Sequence, residues 1–238
     1  GLVTSVQVLF VSGISAQCNL LNDAFNTNPV LSPSNVDGAW YPDRYTPAGF
    51  VSDVIGMPTE NALKLSISGA DGAQLRPSGF GGQFYNTQGR KLNQCGKCVT
   101  LAKGKIYIPS DWATKHRRSE IWTTAFDITN TVSSYPIIGF ANVDGASPIF
   151  RCWDDNTGWV NLVPPVVYNT WTTVEASLVG TDIIYSINGN QVATIPSGGS
   201  VYMANIMVQG YNFNDNTLTG GQYDGSADNS YDAYWDDL

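Results

Sequence analysis

The 238-residue chain has one histidine, His116, and three glutamates, Glu60, Glu120 and Glu175. It has no lysine or arginine beyond Arg151. Each scarcity removes a class of function. With a single histidine and no partner motif around any cysteine, a Cys–His protease has no support. Glycoside hydrolysis in its usual form needs two suitably placed carboxyl groups. In RRSEIWTTAFD, strand alternation puts Arg118 and Trp122, not acids, on the face of Glu120. The next acid along, Asp127, has the opposite parity, so a partner would have to come from Asp43, Asp111, Asp154 or Asp155 by folding. A nucleophile elbow, a P-loop and a dinucleotide fingerprint in a β-α-β setting are all missing. With 12 basic and 20 acidic residues and a formal charge of −8, the chain is a poor partner for nucleic acid, whose backbone demands a cationic face. Its apolar run VQVLFVSGIS, Val6 to Ser15, is too short to span a bilayer. That run reads as a first buried strand, with the end of an uncleaved signal as the alternative.

Cysteine is sparse too. Cys18, Cys95, Cys98 and Cys152 allow three pairings. The lone C-x-x-C of Cys95 and Cys98 lacks two further zinc ligands. Structural disulfides are expected ahead of free or partly paired thiols, which favours an oxidising, extracellular setting.

What the chain has in quantity is β-prone sequence. Short runs are broken by Gly, Pro, Asn and Asp, and no stretch reads as a long amphipathic helix, although CNLLNDAFNTN suits one short helix or turn. NALKLSISG sets Leu63, Leu65 and Ile67 against Lys64, Ser66 and Ser68. TWTTVEASLVG and TDIIYSINGNQVATI predict strands joined by tight turns, with Asn188-Gly189 as a hairpin signal. VYMANIMVQGYNF predicts a long late strand, and SYDAYWDDL closes the chain. This density of strands predicts an all-β, two-sheet antiparallel β-sandwich. Residues 1–36 are expected as a strand and a short helix or turn packed on the sandwich. Residues 37–238 form the sandwich proper, the whole being one unit.

The order of KIYIPSDW, a strand ending near TAFDI, the hairpin around YSINGNQVATI and a final YDAYWDDL resembles secreted jelly-roll domains of the concanavalin A-like lectin and glucanase superfamily, from about Asp37 to Leu238. The resemblance implies a jelly roll in which a short C-terminal strand returns beside an early one. It also implies a calcium site joining an early loop to the last strand. Asp43, Asp53 and Asp236 are the ligands such a site would use here, with Asp237 in reserve. Asp outnumbers Glu 17 to 3, and Cys152 to Leu238 carries nine Asp and one Glu, so a bound cation suits the acidic third. Such a fold does not decide activity.

Three motifs are similar in part to those of jelly-roll polysaccharide lyases. RRSEIW supplies Arg118 and Glu120, GGQFYN supplies Gln83 and Tyr85, and VQGYNF supplies Gln209, Tyr211 and Asn212. β-Elimination from a uronic-acid polymer needs a base, a proton donor and groups that stabilise developing charge. With no histidine in these motifs, Tyr211 would serve as base and acid, with Gln83 and Arg118 around the carboxylate. The segment RPSGFGGQFYNTQGR, Arg76 to Arg90, holds no carboxylate, and Gln83 and Tyr85 share one strand face.

Binding without chemistry uses the same residues. Planar aromatics, amides and arginines suit sugar hydroxyls, and Arg76, Gln83, Tyr85, Arg118, Glu120, Trp122 and Tyr211 are the candidate contacts. Trp40, Tyr41, Arg44 and Tyr45 are further candidates. The sequence therefore points first to an extracellular, non-catalytic carbohydrate-binding domain whose partner is a polysaccharide or glycan, in one setting as part of a surface or particle assembly. A uronate lyase stands second and a structural or adhesion module third.

Overall fold

The computed structural model describes residues 21–55, 60–70, 86–93, 96–226 and 229–238. Val6 to Ser15, Cys18, Cys95, Arg76, Gln83 and Tyr85 lie outside the described residues.

The chain folds as an all-β, two-sheet antiparallel jelly roll. In spatial order, the first sheet is β1 (Tyr41–Pro42), β4 (Thr87–Asn93), β16 (Asn205–Tyr211), β6 (Arg117–Trp122), β9 (Ile137–Asn142), β10 (Ile149–Asp154) and β11 (Gly158–Asn161). The second is β14 (Asn190–Pro196), β13 (Asp182–Ile187), β12 (Trp171–Val179), β5 (Leu101–Tyr107), β17 (Tyr231–Asp236), β3 (Glu60–Ile67) and β2 (Gly49–Ile55). A small third sheet holds β15 (Tyr202–Met203), β7 (Ala125–Phe126) and β8 (Val132–Ser134). The C-terminal β17 lies between β5 and the early β3, as the resemblance implies.

Alternation decides what each strand buries. Leu63, Leu65 and Ile67 of β3 are fully buried between the sheets, together with Ile106, Val174, Tyr185 and Trp235 of the second sheet. The first sheet answers with Ile121, Ile138, Phe140, Phe150, Ile206 and Val208. Ser119 is a polar residue on the same core-facing side: its hydroxyl accepts from the Trp235 indole N–H at 2.8 Å and donates to the Gln209 carbonyl at 2.8 Å. The β13–β14 hairpin turns through Asn188 and Gly189, both at positive φ, which the primed two-residue turn requires.

The fold departs from the sequence expectations in three places. No helix forms over residues 21–28; instead Asp23 exchanges both backbone hydrogen bonds with Leu238, and Phe25 is buried in the core beside Trp40. Trp40 is thereby a core residue, stacked obliquely on Phe50 at 5.2 Å, and not a surface contact. The long late strand breaks at Ala204, and RRSEIWTTAFDI breaks at Thr123-Thr124. The breaks are matched: Ala204 N–H donates to the Thr124 carbonyl, and both strands cross there into the third sheet.

Candidate functional site

Because Ser119 and Ile121 point into the core, Arg118, Glu120 and Trp122 of β6 occupy the outer face of the first sheet. The register places further outer-face residues beside them. One row across the sheet reads Gly89, Gln209, Glu120, Gly139, Arg151, Asn161. The next holds Thr87 opposite Tyr211 on one side and Arg118 opposite Ala141 on the other. A third pairs Lys91 with Met207, Met207 with Trp122, and Trp122 with Ile137.

Gly139 matters in the first row. It sits between Glu120 and Arg151, and a Cβ there would lie 2.6 Å from Glu120 Cα and 2.9 Å from Glu120 Cγ. Without one, Arg151 reaches across: its Nη2 donates to Glu120 Oε1 at 3.2 Å, and Arg118 Nε donates to the same oxygen at 2.6 Å. The Arg118 guanidinium carbon lies 4.8 Å from the ring centres of both Tyr211 and Trp159, and that of Arg151 lies 3.7 Å from Trp159. Trp153 and Trp159, both half-buried, meet edge to face at 5.0 Å and pack on an apolar cluster of Trp122, Ile137 and Met207. Arg44 lies over Trp122 at 4.6 Å, and Asp43 links Arg44 to Lys91.

Two buried guanidinium groups therefore share one carboxylate. The side chains of Arg118, Arg151 and Glu120 are only 4, 8 and 1% exposed. Burial, with repulsion from Arg118, draws the Arg151 guanidinium down to about 10, and Glu120 partly opposes this. Among the described residues, Arg118 Nη2, Arg151 Nε and Gln209 Nε2 are buried with no hydrogen-bond partner. An unsatisfied buried donor is costly, and three lie together on this one face.

Behind this face stands Tyr231. The β6–β16 ladder ends at Gly210–Ser119. At the next position the Tyr231 hydroxyl enters between the strands, accepting from Tyr211 N–H at 3.0 Å and Arg118 N–H at 3.3 Å. It lies 2.7 Å from the Arg118 carbonyl and 2.8 Å from that of Tyr211, either of which can take its proton. Burial pushes this phenol up to about 12, which keeps it a donor. One side chain thus fixes the backbones that carry Arg118 and Tyr211.

Four of the sequence-predicted contacts, Arg118, Glu120, Trp122 and Tyr211, share one face, while Arg76, Gln83 and Tyr85 are outside the described residues. Arg151, Trp153 and Trp159 escaped the sequence reading. A signal was present: FRCWD interrupts a buried strand with Arg151 and Trp153 at alternate positions. Asn212 turns away, donating to the Ser68 and Gly69 carbonyls. The acids open as partners for Glu120 are engaged elsewhere. Asp43 pairs with Arg44 and Lys91, and Asp111 with Lys115. Asp154 caps the turn at Asn156 and Thr157, while Asp155 accepts from Tyr135 N–H and the Trp153 indole.

The expected metal ligands do not assemble. Asp43 is held on the first sheet, Asp53 pairs with Lys64 at the far edge of the second, and Asp236 lies at the end of β17. Among the described residues no three His, Cys, Asp or Glu side chains gather into a group able to hold a metal ion. Cys152 is a free thiol, pushed up to about 12 by burial, so a framework pairing all four cysteines is ruled out; Cys98 is disulfide-bonded.

No protein-family model matches the chain, and no curated protein sequence matches it. Solved structures do. SCLam, a non-specific endo-β-1,3(4)-glucanase from family GH16, is similar at 11% identity and a TM-score of 0.55, covering 93% of this chain and 91% of its own. A Bacillus licheniformis β-glucanase has 14% identity and a TM-score of 0.49, covering 90% and 95%. LamAcat from Zobellia galactanivorans has 12% identity and a TM-score of 0.47, covering 91% and 93%. Of these three, the first supports the jelly-roll fold, and at that identity it speaks to the fold alone. Among the described residues no helix is long and apolar enough to cross a membrane.

Proposed function

We propose that the outer face of the first sheet binds carbohydrate outside the cell without hydrolysing it. The observation that carries this reading is the Arg118–Glu120–Arg151 cluster, with its unpartnered donors, beside the half-exposed Trp153–Trp159 pair. Sugar rings offer apolar faces that stack on indoles, and hydroxyls that accept from guanidinium and amide N–H groups. Hydrolysis is disfavoured because Glu120 is committed to two arginines and has Arg118 and Trp122 as its nearest neighbours on the strand face. The likeness to a glucanase adds that the fold can carry such a face.

Glycan-array binding by the intact protein, followed by a reducing-sugar assay on every glycan bound, tests this reading. Binding without release of sugar is expected, weakened at least tenfold by Trp159→Ala. Reducing ends released by the wild type and not by Glu120→Gln would overturn the non-hydrolytic reading. A second reading, β-elimination, draws on the closeness of Arg118 to the Tyr211 ring. Its mark would be ultraviolet absorbance of an unsaturated product, abolished in Tyr211→Phe.

A further inference from the structure

We infer that the carbohydrate taken by this face is acidic, carrying a carboxylate or sulfate ester that docks on Arg118 and Arg151; the inference rests on the binding reading above. Buried ions are stable when paired and hydrogen-bonded. Among the described residues two guanidinium groups share a single carboxylate, so one of the two positive charges has no ion-pair partner of its own. The atoms left over have the right chemistry. Arg118 Nη2 and Arg151 Nε are charged N–H donors without acceptors, and Gln209 Nε2, in the same row as Glu120, is a neutral one. A carboxylate or sulfate oxyanion supplies several acceptor lone pairs and one or more negative charges, and it matches the fork of a guanidinium. A neutral hydroxyl would satisfy a donor and leave the charge.

The wider field agrees. Arg44 and Lys91 flank the same face, where Asp43 offsets one of them. Four cations, Arg44, Lys91, Arg118 and Arg151, thus share this side of the sheet with three acids, Asp43, Glu120 and Asp155. Access is from the β11 side, where Arg151 keeps the larger exposure of the two arginines and Asn161 is exposed. Trp159, half-buried, lies over both guanidinium groups, so an incoming acid would have to displace it.

Titration calorimetry on the intact protein tests this with three oligosaccharides of equal length: a neutral glucan, a uronate and a sulfated galactan. At low ionic strength at least one acidic oligosaccharide is expected to bind tenfold or more tightly than the glucan. That margin shrinks with added salt, and whichever acid binds names the source of the oxyanion. Arg151→Gln is expected to erase the margin, lowering the affinity for the acidic oligosaccharide at least tenfold more than that for the glucan. If Arg151→Gln does not fold, Arg151→Lys, which keeps the charge and loses the planar fork, should cut the margin severalfold. Equal affinity for neutral and acidic sugars overturns the inference and spares the binding reading. No binding to any of the three overturns both. A margin that survives the Arg151 substitutions overturns the assignment to this cluster.

Discussion

Gln209→Met replaces an amide whose Nε2 is buried and unpartnered by an apolar side chain of nearly the same length. Its neighbour two residues back on the same strand face is Met207, which already packs with Trp122 and Ile137. Leaving a buried donor unsatisfied costs about 1–3 kcal/mol. A near-isosteric swap loses somewhat less than about 1.5 kcal/mol to imperfect packing. The unliganded variant should therefore be more stable than wild type by roughly 1 kcal/mol. For a chain of this size that is about 2–4 °C in melting temperature. Urea unfolding, read as a higher midpoint at unchanged slope, measures the gain. Glycan affinity, measured on the same preparation, should fall severalfold. Gain on one axis and loss on the other marks a group retained for binding at a cost to the fold. Destabilisation by more than about 1 kcal/mol would refute the reasoning, because it would mean that the amide contributes to the empty protein.

Other perturbations give separate checks. Glu120→Gln leaves two buried guanidinium groups without a carboxylate and should destabilise the protein by about 3–5 kcal/mol in urea unfolding. Tyr231→Phe removes the hydroxyl shared by the backbones of Arg118 and Tyr211. It should cost about 2–3 kcal/mol and weaken glycan binding, although Tyr231 lies on the core side of the sheet. Asp236 is pushed up to about 6, chiefly by burial; the Asp237 backbone N–H and Lys105 oppose the rise, and the Asp237 and Glu60 carboxylates add to it. A carboxyl with a raised folded-state value favours the protonated native state. Its contribution is full below the unfolded value of 3.8 and is lost as pH rises through 6. Asp236→Asn should flatten stability over that window and stabilise the protein at pH 7 by about 1–2 kcal/mol, allowing for screening. A thiol reagent should leave Cys152 unmodified in the native protein and label it after unfolding, since the thiol is buried and held neutral.

Strand content was legible wherever one face meets the core. Leu63, Leu65 and Ile67 alternate with polar residues in sequence and are buried in the fold. Asn188-Gly189 announces its hairpin through backbone chemistry that few other residue pairs supply. The matched breaks at Thr123-Thr124 and Ala204 were not legible, because they depend on two distant strands leaving the first sheet together. At the site, Arg118, Glu120 and Trp122 were readable from the period of one strand. The partnership of Glu120 with Arg151 was not. It needs the register of β6, β9 and β10 and the missing side chain of Gly139, and no local pattern encodes these. The aspartates were not legible one by one. Their abundance suggested a cation; in the fold Asp127, Asp144, Asp154 and Asp215 cap turns and Asp53 pairs with a lysine.

The proposed binding surface places glycan on the outer face of the first sheet at Trp153 and Trp159. The seven indole N–H signals in an NMR spectrum of the intact protein, followed as an acidic oligosaccharide is added, test it most directly. Trp153 and Trp159 should shift most and Trp122 less. Trp40, Trp112 and Trp235, buried in the core, and Trp171, on the second sheet, should stay in place. Saturable shifts confined to Trp171 or the core indoles, with Trp153 and Trp159 unmoved, would contradict the account.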